Sequence, residues 1–373
     1  MRRDNLLDHL PHVLLLGPGP SSVAPATYHA VAQPTLGHLD ADLFCIMDEV
    51  KCGLRELMGT ENELSIAISG TGSSGMEAAF VNVVEPGDKV LTLINGFFAG
   101  RMAEVAERLG ATVTRLEFPW GQPLDIPAVQ EQLQKEQYDI VAMVHAETST
   151  GVCNPADVIG ALLKDYGALF IVDAVTSLGG LPLQADKWGA DIIYSCSQKG
   201  LACPPGLAPI TFSERALGKF RGRKNKVPNW YLDAGLLAQY WGGEKRVYHH
   251  TISSNLVYAL YQAMYNLMEE GLENVFLRQR QAHEYLVQEL EKLGMEMLVA
   301  PAYRLPMLNT VKIPAGMDEA AVRMRLRKEH HIEIGAGLGP LAGQIFRIGL
   351  MGYNARPEVV DRLITALEKT MND

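Results

Sequence analysis

Phe170-Ile171-Val172-Asp173-Ala174-Val175 and, shortly after it, Tyr194-Ser195-Cys196-Ser197-Gln198-Lys199-Gly200 decide the architecture. The first is a short apolar run closing on a carboxylate, and the second leads from a strand-like segment to an amine. Short apolar runs bounded by polar or small residues read as buried strands. Working outward, residues 65–69, 89–94, 112–118, 140–145, 168–173, 191–195 and 208–212 read as strands. Helical patterns fall between most of them, at 76–84, 101–109, 126–134 and 155–166. That alternation predicts an α/β fold with a mostly parallel central sheet flanked by helices. In such sheets ligands sit beyond the carboxyl ends of the strands, so Asp173 and Lys199 fall where a site belongs. Residues 219–250 lapse into a basic and aromatic connector, and 256–293 reads as one long helix with a candidate break at Gly271. Strand patterns at 308–313, 332–334 and 345–349, with helices at 317–328 and 357–371, predict a smaller α+β C-terminal domain. The expected division is an N-terminal segment 1–16 that packs on either domain, a large domain 17–252 and a small domain 253–373.

Composition narrows the function classes. The chain has 373 residues, 47% hydrophobic, with 33 basic and 43 acidic side chains and a formal net charge of -10. That balance excludes the basic footprint of a nucleic-acid binder. The start, Met1-Arg2-Arg3-Asp4, is followed by no apolar run of signal length, no segment is long enough for a membrane span, and Met371-Asn372-Asp373 is not a peroxisomal address. Five cysteines, without zinc-ligand spacing, fit a reduced cytoplasmic protein. No metal site is expected: His249-His250 and His330-His331 read as structural pairs, because neighbours on a strand face opposite ways.

Three signals carry chemistry. Gly70-Thr71-Gly72-Ser73-Ser74-Gly75 follows a strand and opens a helix. It matches a dinucleotide pattern, but the next strand ends Leu93-Ile94-Asn95-Gly96 without the acid that pattern requires. What remains is a helix N-terminus offering free N–H groups to a phosphate, or a Gly-rich turn with a capped helix. Asp173 at a strand end is either a capping or ion-paired Asp or a partner for a buried cation. Lys199, taken alone, is a solvated lysine; among small neighbours it suits a partly desolvated amine able to form a Schiff base. Together, a phosphate cradle, a carboxylate and an amine are what pyridoxal 5'-phosphate requires.

The segments Leu14-Leu-Leu-Gly-Pro-Gly-Pro-Ser21, Asp173-Ala-Val-Thr-Ser-Leu-Gly-Gly180, Ser197-Gln-Lys-Gly200, Pro204-Pro-Gly206, Tyr248-His-His-Thr251 and Phe346-Arg-Ile-Gly-Leu-Met-Gly352 resemble the class V aminotransferases. Within that family they are most similar to the alanine–glyoxylate (serine–pyruvate) group, from about residue 12 to the end. The resemblance implies a PLP-transferase fold of type I. It implies Lys199 as the Schiff-base lysine and proton carrier, and Asp173 as partner of the pyridine nitrogen. Val175 would pack on one face of the ring and Phe98 on the other, where many relatives have Trp. Thr148 would bond the phenolic oxygen, where relatives often have Ser. Thr71, Gly72, Ser73 and Gln198 would hold the phosphate, Ser73 standing where some relatives have His. Tyr248 and Thr251 would reach the phosphate of a neighbouring subunit, which implies a homodimer. Arg347 would clamp the substrate carboxylate; strand alternation alone leaves it equally compatible with a surface ion pair.

The implied reaction is a ping-pong transamination between alanine or serine and glyoxylate or pyruvate, through pyridoxamine phosphate. Alternatives are a PLP lyase or desulfurase, an aminotransferase for a specialised donor, a nicotinamide dehydrogenase using Gly70–Gly75, and a binding protein without chemistry. Cys196 and Cys203 raise the desulfurase reading, but relatives of that kind carry His, not Gln, before the lysine, and the two thiols read as packing residues.

Overall fold

A computed structural model describes residues 5–243 and 245–372. Met1–Asp4, Glu244 and Asp373 lie outside the described residues. The expectation made on the Met1-Arg2-Arg3-Asp4 start lies there too, as does the last residue of the C-terminal tripeptide.

The large sheet has seven strands, ordered Leu64–Ser69, Leu207–Phe212, Ile192–Tyr194, Leu169–Asp173, Ile140–Val144, Lys89–Ile94 and Thr112–Glu117. Only Leu207–Phe212 runs against its neighbours; the other pairings are parallel. The seven expected strands are present, each end within one residue of its expected place. Ile140–Val144 and Leu169–Asp173 are buried at every position, as parallel strands covered by helices on both faces must be. Register sets the carboxyl ends side by side: Val144 pairs with Asp173, and Asp173 with Tyr194.

The connecting helices pack tightly on this sheet and on each other. Gly160, in the helix Ala156–Leu163, shows how closely: a Cβ there would lie 1.8 Å from the backbone oxygen of Trp188. Backbone cannot swing aside as a side chain can. Gly160→Ala is therefore expected to cost about 3 kcal/mol of stability, the upper range for overpacking. A denaturant midpoint unchanged by the substitution would contradict this.

A second sheet orders Leu14–Leu16, Ile332–Ala336, Ile345–Gly349 and Leu308–Lys312. Leu14–Leu16 pairs in parallel with Ile332–Ile334, so this N-terminal stretch joins the C-terminal sheet. Leu16, Ile332, Phe346 and Ile348 share a core with Leu286 and Leu363. The stretch read as one helix is two, Ser254–Glu270 and Leu272–Lys292, divided at Gly271 with φ 82°. The first packs in the core of the large sheet through Val257, Leu260 and Met264. The supposed connector holds helices Glu214–Arg221 and Ala234–Trp241. Asp233 caps the latter, accepting from Gly235 N at 2.8 Å and Leu236 N at 3.1 Å. Among the described residues no helix is long and apolar enough to cross a membrane.

Candidate active site

Asp173 ends its strand 3% exposed. Its Oδ1 accepts from Val175 N and its Oδ2 from Tyr194 Oη, both at 2.8 Å. Burial raises its carboxyl from 3.8 to about 6, against the pull of those two hydrogen bonds. Lys199 is 8% exposed, and burial lowers its ammonium from the ordinary lysine value. Its Nζ donates to Pro18 O, and Ser21 Oγ donates to Lys199 O at 2.7 Å. Gly19 packs directly on this side chain; a Cβ there would fall 2.6 Å from Lys199 Cε. Both groups are thus pushed toward their neutral forms, the amine toward the nucleophilic one.

Asp173 and Lys199 line one cavity of about 650 Å³, mouth included. Thr71, Gly72, Ser73, Phe98, Thr148, Val175 and Gln198 line it with them. The helix Gly72–Val81 opens against this cavity, and no side chain caps its first turn. That leaves N–H groups to be satisfied from the cavity side. Ser74 Oγ turns back to Thr71 O at 2.7 Å instead. Gln198 Oε1 is buried without a partner. Arg347 is 6% exposed and is no surface ion pair: Nε donates to Ala336 O at 2.5 Å and Nη1 to Thr148 O at 3.2 Å. Its partners are carbonyls, so its charge is not neutralised by them.

Tyr248 and Thr251 stand apart from this cavity. Tyr248 is 53% exposed, with its Oη 3.5 Å from Thr251 Oγ1. The His249 and His250 rings do not face opposite ways, because 245–252 is not a strand. Their Nδ1 atoms meet at 2.8 Å, and His250 Nε2 lies 2.7 Å from Ser69 Oγ. Among the described residues no cluster could hold a metal ion.

Sequence reasoning missed three contributors. Tyr194 holds Asp173, Pro18 receives the Lys199 amine, and Arg101 lines the cavity with its guanidinium 5.4 Å from the centre of the Phe98 ring. Tyr194 carried a faint signal as an aromatic at a buried strand end. Pro18 depends on a contact with a residue 181 positions away, while Arg101 lies on the same helix as Phe98.

These residues fit pyridoxal phosphate. An amine and a buried carboxylate share one cavity with an uncapped helix N-terminus and an unpartnered amide. A family model for class V aminotransferases matches residues 25–363. An alanine–glyoxylate aminotransferase of Callithrix jacchus is 42% identical over 97% of this chain and 88% of its own length. A (S)-ureidoglycine–glyoxylate transaminase of Bacillus subtilis is 36% identical over 96% and 90%. The crystal structure of an alanine–glyoxylate aminotransferase from Nostoc sp. superposes with a TM-score of 0.96 at 49% identity, covering 97% of this chain and 96% of that one.

Proposed function

The chain belongs to the class V aminotransferases, which exchange an amino group between an amino acid and a 2-oxo acid, and from that premise we propose that it uses pyridoxal 5'-phosphate to move the amino group of alanine or serine to glyoxylate or pyruvate. The observation that carries the reading is the pairing of Lys199 and Asp173 in one cavity beside the uncapped helix Gly72–Val81. When bound, pyridoxal phosphate supplies an electrophilic carbon for the amino group and a conjugated ring that accepts an electron pair. Lys199 would hold the cofactor covalently, and its Nζ, once the substrate amine has displaced it, would take the proton from the substrate Cα. Asp173 would keep a proton on the ring nitrogen. Thr71, Gly72, Ser73 and Gln198 would hold the phosphate, Val175 and Phe98 would pack on the two faces of the ring, and Thr148 would hold the phenolic oxygen.

Arg347 orients the substrate carboxylate. Arg347→Lys keeps the charge but loses the planar fork, and is expected to lower kcat/KM for the amino acid about 30-fold, roughly 2 kcal/mol. Steady-state kinetics decide it: an unchanged kcat/KM removes Arg347 from this role.

Tyr248 and Thr251 are exposed in the single chain, which accords with their reaching the site of a second copy in a homodimer. The five unpaired cysteines accord with the cytoplasm. A specialised amine donor is the second reading, favoured by the likeness to the ureidoglycine–glyoxylate enzyme. A desulfurase is disfavoured, since burial raises the Cys196 thiol to about 11 and Cys203 to about 12, away from the thiolate such chemistry needs.

The test is a half-reaction. Protein loaded with pyridoxal phosphate should be yellow and bleach on adding alanine or serine, with release of pyruvate or hydroxypyruvate. Glyoxylate, pyruvate and 2-oxoglutarate then rank as acceptors by how fast each restores the colour. A visible band indifferent to both donors overturns the alanine or serine assignment.

A further inference from the structure

The helix Phe97–Arg108 begins at Gly96, which has no side chain to cap it. Buried N–H groups at a helix start still need acceptors. Three consecutive ones find theirs in the distant turn at residues 147–150. Ser149 Oγ accepts from Phe97 N at 2.9 Å and donates to Glu147 Oε1 at 2.6 Å. Glu147 Oε2 accepts from Phe98 N at 3.2 Å and Ala99 N at 3.3 Å, while Oε1 also accepts from Ser149 N at 3.0 Å. Glu147 is 0% exposed. The approach is tight: a Cβ on Gly96 would lie 2.3 Å from Glu147 Cγ and 2.5 Å from Ser149 Oγ.

Glu147 itself does not line the cofactor cavity, yet Phe98 and Thr148 both do. It bonds the backbone of the first and is joined by a peptide to the second. Thr148 O in turn receives Arg347 Nη1. We propose that Glu147 is a positioning residue that locks Phe98 and Thr148 to one another, so that the aromatic ring and the hydroxyl stay aimed into the same cavity. This rests on the cofactor reading above. Burial raises the Glu147 carboxyl above its ordinary value, against the pull of the hydrogen bonds from Ser149, Ala99 and Phe98; those bonds and the partial positive charge of the helix start oppose that cost, and no rotation of the helix can occur without breaking them.

A plain helix cap would stabilise the fold without tuning the cavity, and cofactor affinity separates the two. Dissociation constants for pyridoxal phosphate are measured for the wild type, Glu147→Gln, Phe98→Ala and the double variant. Gln keeps the size but offers one oxygen, so it cannot serve Ser149 and the helix together. Each single variant is expected to bind about tenfold more weakly, and the double variant at least threefold more tightly than the product of the two losses. Simple multiplication, or wild-type affinity in Glu147→Gln, overturns the proposal. Ser149→Ala removes one cap but leaves the bonds to Phe98 and Ala99. It should lower the melting temperature with affinity within about twofold of wild type; a loss equal to that of Glu147→Gln would reduce Glu147 to a helix cap. If Glu147→Gln does not fold, Glu147→Asp enters the same cycle with the same criteria. A wild type that fails to bind pyridoxal phosphate sinks the cofactor reading itself, a result distinct from additivity in a binding-competent protein.

Discussion

Lys199→Ala should lower kcat by on the order of 10⁴-fold while leaving a well-folded protein. The side chain is buried, and burial disfavours its charged form. It is therefore a poor stabiliser of the fold, and its neutral form, the one that can accept a proton, is favoured relative to an exposed lysine. Among the described residues its one side-chain hydrogen bond goes to Pro18 O; losing it frees an acceptor and opens a void lined by Gly19, a modest loss. What disappears is the group that holds the cofactor and carries the Cα proton. Neither Tyr194 nor Arg347 can replace it: burial raises the Tyr194 hydroxyl well above the ordinary value, and Arg347 stays protonated at working pH and so cannot accept the Cα proton. Two measurements check this. Borohydride treatment of the cofactor-saturated wild type, followed by peptide mapping, should mark Lys199 and nothing else, and a small primary amine added to Lys199→Ala should restore part of the rate. Wild-type turnover in Lys199→Ala would sink the assignment, whatever the spectrum.

The large sheet was legible because its strands are short, apolar and buried on both faces, and such runs are hard to read otherwise. Asp173 was legible for the opposite reason: a charge at the end of an apolar strand violates the pattern and asks for a partner; Lys199, five residues beyond the strand Ile192–Tyr194, was legible only through its small neighbours and in combination with Asp173 and the Gly70–Gly75 loop. The helix Ala41–Met58 escaped notice although Asp40 caps it at Asp42 N and Gly59, with φ 62°, ends it. Its buried face, Leu43, Met47, Val50 and Leu54, is spaced for a helix; the polar residues between them diluted the signal. Leu14–Leu16 could not be placed, because three residues carry no periodicity and its partner Ile332–Ile334 lies at the far end of the chain. Tyr194 and Glu147 share that difficulty. Tyr194 acts through a strand pairing and Glu147 through a helix start some fifty residues earlier. The His249-His250 pair shows the cost of assuming a strand: the alternation argument had the wrong backbone beneath it.

Asp173→Asn should separate stability from function. The substitution is nearly isosteric, and the surroundings accept it: Asn Oδ1 can still receive Val175 N, while its amide can donate to the Tyr194 oxygen that now donates to Asp173 Oδ2. In the cofactor-free protein Asp173 is a liability at neutral pH. Its folded value, about 6, lies above the ordinary 3.8. Between those values the native state binds the proton more strongly than the unfolded chain does, so this group's contribution to stability falls as pH rises from about 4 to about 6. The full difference is roughly 3 kcal/mol. Cofactor-free Asp173→Asn should therefore match the wild type near pH 4, become more stable than it as pH climbs through that window, and keep its advantage above pH 6. With cofactor the order reverses. The buried carboxylate then meets a positive ring nitrogen, and the charge that was costly becomes one half of an ion pair that the Asn variant cannot form. Cofactor should bind more weakly to Asp173→Asn, and kcat should fall by on the order of 10²–10³-fold, as when a fixed electrostatic contact to a reacting centre is removed. Denaturant unfolding across pH 4–8, with and without pyridoxal phosphate, reads both halves. A stability difference that ignores pH would show that Asp173 does not titrate as its burial requires, and an undiminished kcat would show that its charge does not serve the ring.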